Sequence, residues 1–187
     1  MDRRVKYTKS VIEDTFLSLL EKKDIGDITV TEICAIADIN RATFYRYYVD
    51  IYDLLKNIQD NFIEEIKVSN PMINLPNYSV YNYTKEILEI FVRNKKLVKI
   101  LFDTNNSIYF INEVLEIAYE KCSRKWFDNF PEMDEDELEY AAVYVFNGAL
   151  GVINYWIKNN FDKDTETMAR GIEKLTLDGI RKFVYKK

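Results

Sequence analysis

Three observations predict an all-α fold of about nine helices. Apolar residues recur at helical spacing along most of the chain. Five Gly and three Pro in 187 residues are too few for the many turns of an all-β protein. Asn, Asp, Thr or Ser stands before several of the apolar stripes, as helix caps require. With 48% hydrophobic and 30% charged residues, the composition is that of a globular chain.

The elements follow in order. Residues 8–23 place Ile12, Phe16, Leu19 and Leu20 on one face, and "DIGD" breaks that helix. In "ITVTEICAIA", Thr29 or Thr31 can cap a second helix whose Ile33, Ile36 and Ala37 are expected to face inward. Asp38-Ile39-Asn40 makes a short turn, and Asn40 caps a third helix with Phe44 and Tyr48, four residues apart, on its core side. Asp50 caps a fourth, with Leu54, Leu55, Ile58, Phe62 and Ile66 along it. "SNPMINLPNYS" (69–79) holds two of the three prolines and interrupts the helical pattern. Beyond it, 80–93, 95–102, 107–127, about 135–160 and about 165–185 read as helices. The expected division is a head at 1–50, a connecting helix at 51–68 and a body at 80–187.

Two short helices joined by a three-residue turn and braced by a helix before them form a helix-turn-helix. With Phe44 and Tyr48 inward, the third helix turns Arg41, Ala42, Tyr45 and Arg46 outward. Arg can bond guanine bidentately, Ala can meet a thymine methyl, and Tyr can reach phosphate. The net charge of −5 opposes a generally DNA-binding surface, so any such contact must be local. Residues 1–60 hold nine Lys/Arg against eleven Asp/Glu. Residues 1–9 set Arg3, Arg4, Lys6 and Lys9 against Asp2, a local charge of +3, and are read as a basic arm ahead of the first helix.

"ITVTEICAIADINRATFYRYYVDIYDLL" resembles the signature of the TetR family of bacterial transcriptional regulators. Thr29, Ile33, Ala37, Thr43, Tyr45, Tyr48 and Leu54 fall on its matching positions. The motif spans about 30 residues, and "VYVFNGALGVINYWI" with the helix after it resembles the C-terminal region of one subgroup. Asp38 stands where the family usually has Gly, and Asp is among the few residues that tolerate left-handed backbone. Ile51 stands where the family often has a phosphate-gripping Lys.

DNA contacts are expected from Arg3, Arg4 and Lys6 of the basic arm, which would supply the grip that Ile51 lacks, and from Thr29, Arg41, Ala42, Thr43, Tyr45, Arg46 and Tyr47 of the helix-turn-helix; the resemblance supports the second set. It also implies a body that binds a small molecule and dimerises. The last two helices would pair with their copies as a four-helix bundle through Phe146, Gly148, Leu150, Gly151, Ile153, Met168, Ile172 and Leu175. The glycines would allow close approach. Aromatics between head and dimer face, namely Tyr83, Phe91, Phe102, Tyr109, Phe110 and Trp126, would line the pocket and suit a hydrophobic or planar effector. The expected function is a repressor released from a palindromic double-stranded DNA operator by an unidentified small molecule. A helix-turn-helix-derived protein-interaction module without DNA binding is the alternative, suggested by Ile51 and the acidic balance.

No enzyme is expected. There is no histidine, which removes Ser-His-Asp and Cys-His catalysis and the commonest metal ligand, and no Gly-rich phosphate loop is present. The run "EMDEDELE" (132–139) reads as helix-start charge rather than a cation site. No cofactor or metal is implied. Cys34 and Cys122 lie in apolar runs, as buried thiols in a reducing compartment do. The start of the chain has no apolar signal core, and the apolar stretch 141–157 falls short of the roughly 20 residues a membrane span needs. A cytoplasmic protein is therefore expected.

Overall fold

The structure, a computed structural model, describes residues 3–68, 79–103, 107–129 and 133–184, with side chains apart from Ser107, 121–129 and 181–184. Nine α-helices and no strand occur among the described residues. They are α1 (Arg3–Leu20), α2 (Val30–Ile36), α3 (Arg41–Tyr45), α4 (Ile51–Val68), α5 (Val80–Arg93), α6 (Lys95–Asp103), α7 (Ser107–Asn129), α8 (Glu135–Lys158) and α9 (Thr165–Val184). A 3₁₀ turn at Ile25–Asp27 fills the "DIGD" break. The chain forms two compact units, residues 1–64 and 65–187. Residues 51–64, read from the sequence as part of a separate connecting helix, belong to the first unit.

In that unit the stripe of Ile12, Phe16, Leu19 and Leu20 is buried as its spacing requires, together with Ile28, Ile33, Phe44, Tyr48 and Leu54. Burying each large apolar side chain contributes about 1.5–3 kcal/mol. Two expectations change. α1 covers Arg3–Leu20 rather than starting at residue 8, so Arg3, Arg4 and Lys6 belong to its first turns rather than to an arm ahead of it. On α2 the buried partner of Ile33 is Cys34, whereas Ile36 is 60% exposed and Ala37 only half-buried. Seven residues make barely two turns, too few for spacing to fix the buried face.

The second unit packs α5 along α9, α7 along α8, and α6 against α7 and α8. Its centre includes a column of edge-to-face rings, with Phe91–Phe102 centroids 5.8 Å apart and Phe102–Phe110 6.0 Å apart. α8 opens on a capping box between Asp134 and Glu137, with Glu135 and Asp136 also in its first turn, the helix-start role read for this acidic run. α8 and α9 are joined by a turn in which Asn160 and Phe161 have φ of 60° and 59°. The Trp156 ring packs on Phe161 at 4.8 Å, and its Nε1 donates to the Lys163 carbonyl at 2.9 Å. Among the described residues, no helix is long and apolar enough to cross a membrane.

Candidate nucleic-acid interface

The geometry of the head is set by its caps. Thr29 is the cap of α2: its Oγ1 accepts from Glu32 N at 3.2 Å. Lys23 bridges the preceding loop, donating to the Asp27 carbonyl at 2.9 Å and to Glu32 Oε2 at 2.6 Å. After α2, Asp38 takes φ = 52°, the left-handed conformation that glycine adopts more cheaply, and Ile39 N donates to the Cys34 carbonyl. Asn40 Oδ1 then accepts from Thr43 N at 2.7 Å and from Thr43 Oγ1 at 2.9 Å, fixing the first turn of α3. Asp50 Oδ1 accepts from the N–H groups of Tyr52 and Asp53 and starts α4 the same way.

These caps orient α3. Phe44 is fully buried and Tyr48 nearly so, with ring centroids 5.7 Å apart. Tyr48 donates its hydroxyl to Glu13 Oε1 at 2.8 Å, tying the residues after α3 to α1. Burial first, and the Glu13 bond second, push the Tyr48 phenol well above its ordinary range, so it stays neutral. The opposite side of α3 exposes Arg41, Ala42, Tyr45 and Arg46, with Thr43 and Tyr47 half-buried beside them. Thr29 is exposed, although its hydroxyl is committed as an acceptor to the cap.

Two further residues join this surface. Thr31, read only as a possible cap, is exposed, and its Oγ1 accepts a hydrogen bond from Arg41 Nη2. Lys9 holds its ammonium 5.8 Å from the Tyr47 ring centroid and 5.5 Å from that of Tyr48. Neither partnership has a local sequence signal, because each joins residues ten or more apart. Ile51 is buried, 8% exposed, so where the family often has a phosphate-gripping Lys this chain has a core residue.

Arg3, Arg4 and Lys6 are exposed on the opening turns of α1, which has no acidic residue in its first turn. The N-terminal end of a helix carries partial positive charge, so cations there are unfavourable unless an anion joins them.

In the second unit, a cavity of about 90 Å³ is lined by Ile66, Tyr83, Ile87, Leu115, Phe146, Leu150, Ile153 and Ile172, with Thr84 and Thr176 among the other lining residues. Of the five expected aromatics whose side chains are described, Tyr83 alone lines it. Phe91, Phe102 and Phe110 are buried in the ring column, since planar rings satisfy one another edge to face, and Tyr109 is exposed. Trp126 lies outside the described side chains. Its described lining residues include no Asp, Glu, Lys or Arg and are mainly aliphatic, with Tyr83 and Phe146 the aromatics among them.

The expected dimer residues also divide. Phe146, Leu150, Ile153 and Ile172 turn inward to the cavity and Met168 is half-buried. Gly148, Gly151 and Leu175 lie on the exposed side. That side carries Tyr140, Tyr144, Gly148, Gly151 and Tyr155 in one stripe along α8, with Gly171, Leu175 and Gly179 along α9; Tyr144 is 78% exposed. An exposed apolar stripe of this kind is a candidate interaction surface. Among the described residues no cluster of His, Cys, Asp and Glu is arranged to hold a metal ion.

A capped helix-turn-helix followed by an all-α body defines a class of regulatory proteins, and comparison with known proteins agrees. Residues 78–178 match the model of a TetR-type transcriptional regulator C-terminal region. The chain belongs to the TetR family of transcriptional regulators. It is 24% identical over 171 residues to the uncharacterized HTH-type transcriptional regulator YxbF of Bacillus subtilis, covering 91% of this chain and 44% of that protein. The chain thus spans less than half the length of that relative. Its fold is similar to a TetR-family regulator from Syntrophomonas wolfei, with a TM-score of 0.72 at 18% identity over 97% of this chain and 99% of the other. It is also similar to SmeT, the repressor of a Stenotrophomonas maltophilia multidrug efflux pump, at 0.68 and 15% over 91% and 89%.

Proposed function

We propose that the chain is a repressor that binds a palindromic operator as a two-fold dimer and is released by an uncharged small molecule. The observation that carries the DNA-binding part is the exposed face of α3: Arg41, Ala42, Tyr45 and Arg46 project from a helix fixed by Asn40 and by buried Phe44. Arg41 and Tyr45 read bases, while Arg3, Arg4 and Lys6 bind phosphate and position the head. A gel shift against the DNA beside the protein's own gene tests this reading. Arg41→Ala should cost about 1–3 kcal/mol and relax preference at one base pair per half-site. Equal weakening on every sequence would reduce Arg41 to a phosphate contact. Failure of the wild-type chain to shift any duplex would favour the protein-interaction alternative.

The cavity supports the effector part. An ion would find no counter-charge among the described lining residues, and burying an unpaired charge is prohibitive, so the ligand is read as neutral and mostly apolar. Thr84 and Thr176 offer hydroxyls to a single polar group. SmeT, a fold neighbour, has been characterised as a complex with triclosan. A coupling of about 1–3 kcal/mol between effector and operator is expected. A thermal-shift screen of neutral apolar compounds, followed by operator binding, measures it. A compound that stabilises the protein yet leaves operator affinity unchanged would count against release through this site.

A further inference from the structure

We propose that Thr31, on α2, is a positioning residue that makes Arg41 selective for guanine; the inference rests on the DNA-binding reading of the α3 face. Arg41 is the first residue of α3, and its long side chain is exposed. A free Arg in that position would sample many rotamers, and ordering it on a base would cost up to about 2 kcal/mol of side-chain entropy. Here the guanidinium is held back over α2, where its Nη2 donates to Thr31 Oγ1.

The same placement is felt one turn further along α2. Burial raises the thiol of Cys34, and the Arg41 charge partly opposes that rise, as it does only if the guanidinium lies close to α2.

The chemistry of the pair favours readout. A guanidinium has five N–H donors in a rigid plane, and the bond to Thr31 uses one. Four remain, enough for the two parallel bonds to guanine O6 and N7. A planar fork anchored at one corner can present those donors in only a few orientations, so an off-register or wrong base leaves them unmet. Thr31 touches no base in this account and acts through Arg41. The readout unit is therefore a pair from two helices rather than one residue of α3.

The test uses the 187-residue chain as wild type, Thr31→Val and Thr31→Ser, with a random-sequence DNA duplex library as the probe. Val keeps the branched shape and removes the hydroxyl; Ser keeps the hydroxyl. The wild type should enrich one guanine per half-site that Arg41→Ala loses. Thr31→Val should reduce preference at that position roughly tenfold, leaving the other positions and the affinity for unselected duplex unchanged. Thr31→Ser should restore the preference. The proposal is overturned if Thr31→Val selects as the wild type does, if it weakens binding to all sequences equally, or if Ser fails to rescue. Were the wild type to retain no duplex at all, the DNA-binding reading would fall and this inference with it, a result distinct from the other three.

Discussion

Replacing Arg3, Arg4 and Lys6 together with Gln should flatten the dependence of log affinity on log salt by about two to three units per subunit, about twice that for the dimer, because each neutralised phosphate contributes about 0.9. The loss should be the same on operator and unrelated DNA, since these groups belong to α1 and not to α3, the helix read as contacting bases. Deleting the segment is the poorer experiment, because Arg3 already belongs to α1 and truncation would unwind the helix start. Substitution has the opposite effect on folding. Three cations at the positive end of a helix oppose its dipole, so their removal should leave the melting temperature unchanged or slightly raised. Weaker binding with intact stability identifies a phosphate grip. An unchanged salt slope would mean that these side chains are merely solvated.

The second large effect concerns the exposed face of α8. A Cβ built on Gly148 or Gly151 meets nothing within 4 Å in the isolated chain. If the protein were a monomer, Ala at either position should raise stability by about 0.5–1 kcal/mol through helix propensity. If the face is a two-fold interface, each substitution occurs twice in it, and the outcome reverses for a larger residue. Gly148→Leu or Gly151→Leu should then cost about 1–3 kcal/mol per copy by overpacking. Taken over both copies, dissociation should strengthen by roughly thirtyfold to ten-thousandfold. Sedimentation equilibrium over a concentration series reads this directly, and operator affinity should fall in parallel. A wild-type chain that is monomeric at micromolar concentration would remove the dimer from the proposal.

The head was legible because its signals are local. Asn40 and Asp50 are caps, and Phe44 and Tyr48 share a face; each acts within four residues of itself. Asp38 was legible for the same reason, as a residue able to take positive φ where glycine is usual. The first turns of α1 were not, because Arg3, Arg4 and Lys6 continue no apolar stripe. The body was legible as helices but not as surfaces. α8 is apolar nearly all round, so its sequence cannot distinguish Ile153, turned to the cavity, from Tyr155, turned to solvent. Aromatic residues were the natural candidates for a pocket wall. Phe91, Phe102 and Phe110 instead pack on one another, and the cavity went to aliphatic residues that look like any core.

That cavity, at about 90 Å³, is well below the 300–1,000 Å³ typical of ligand sites. On the proposed reading, a drug-sized effector would need the walls on α5, α7, α8 and α9 to move apart, together with Ile66 near the end of α4. Occupancy and rearrangement then become one event rather than two. The chain resists an effector in proportion to how seldom its open form is populated, and apparent affinity is reduced by that fraction. Substitutions that enlarge the cavity, such as Ile153→Ala, would make the protein easier to induce while making it less stable, so sensitivity to the signal and robustness of the fold are set against each other by the same few side chains.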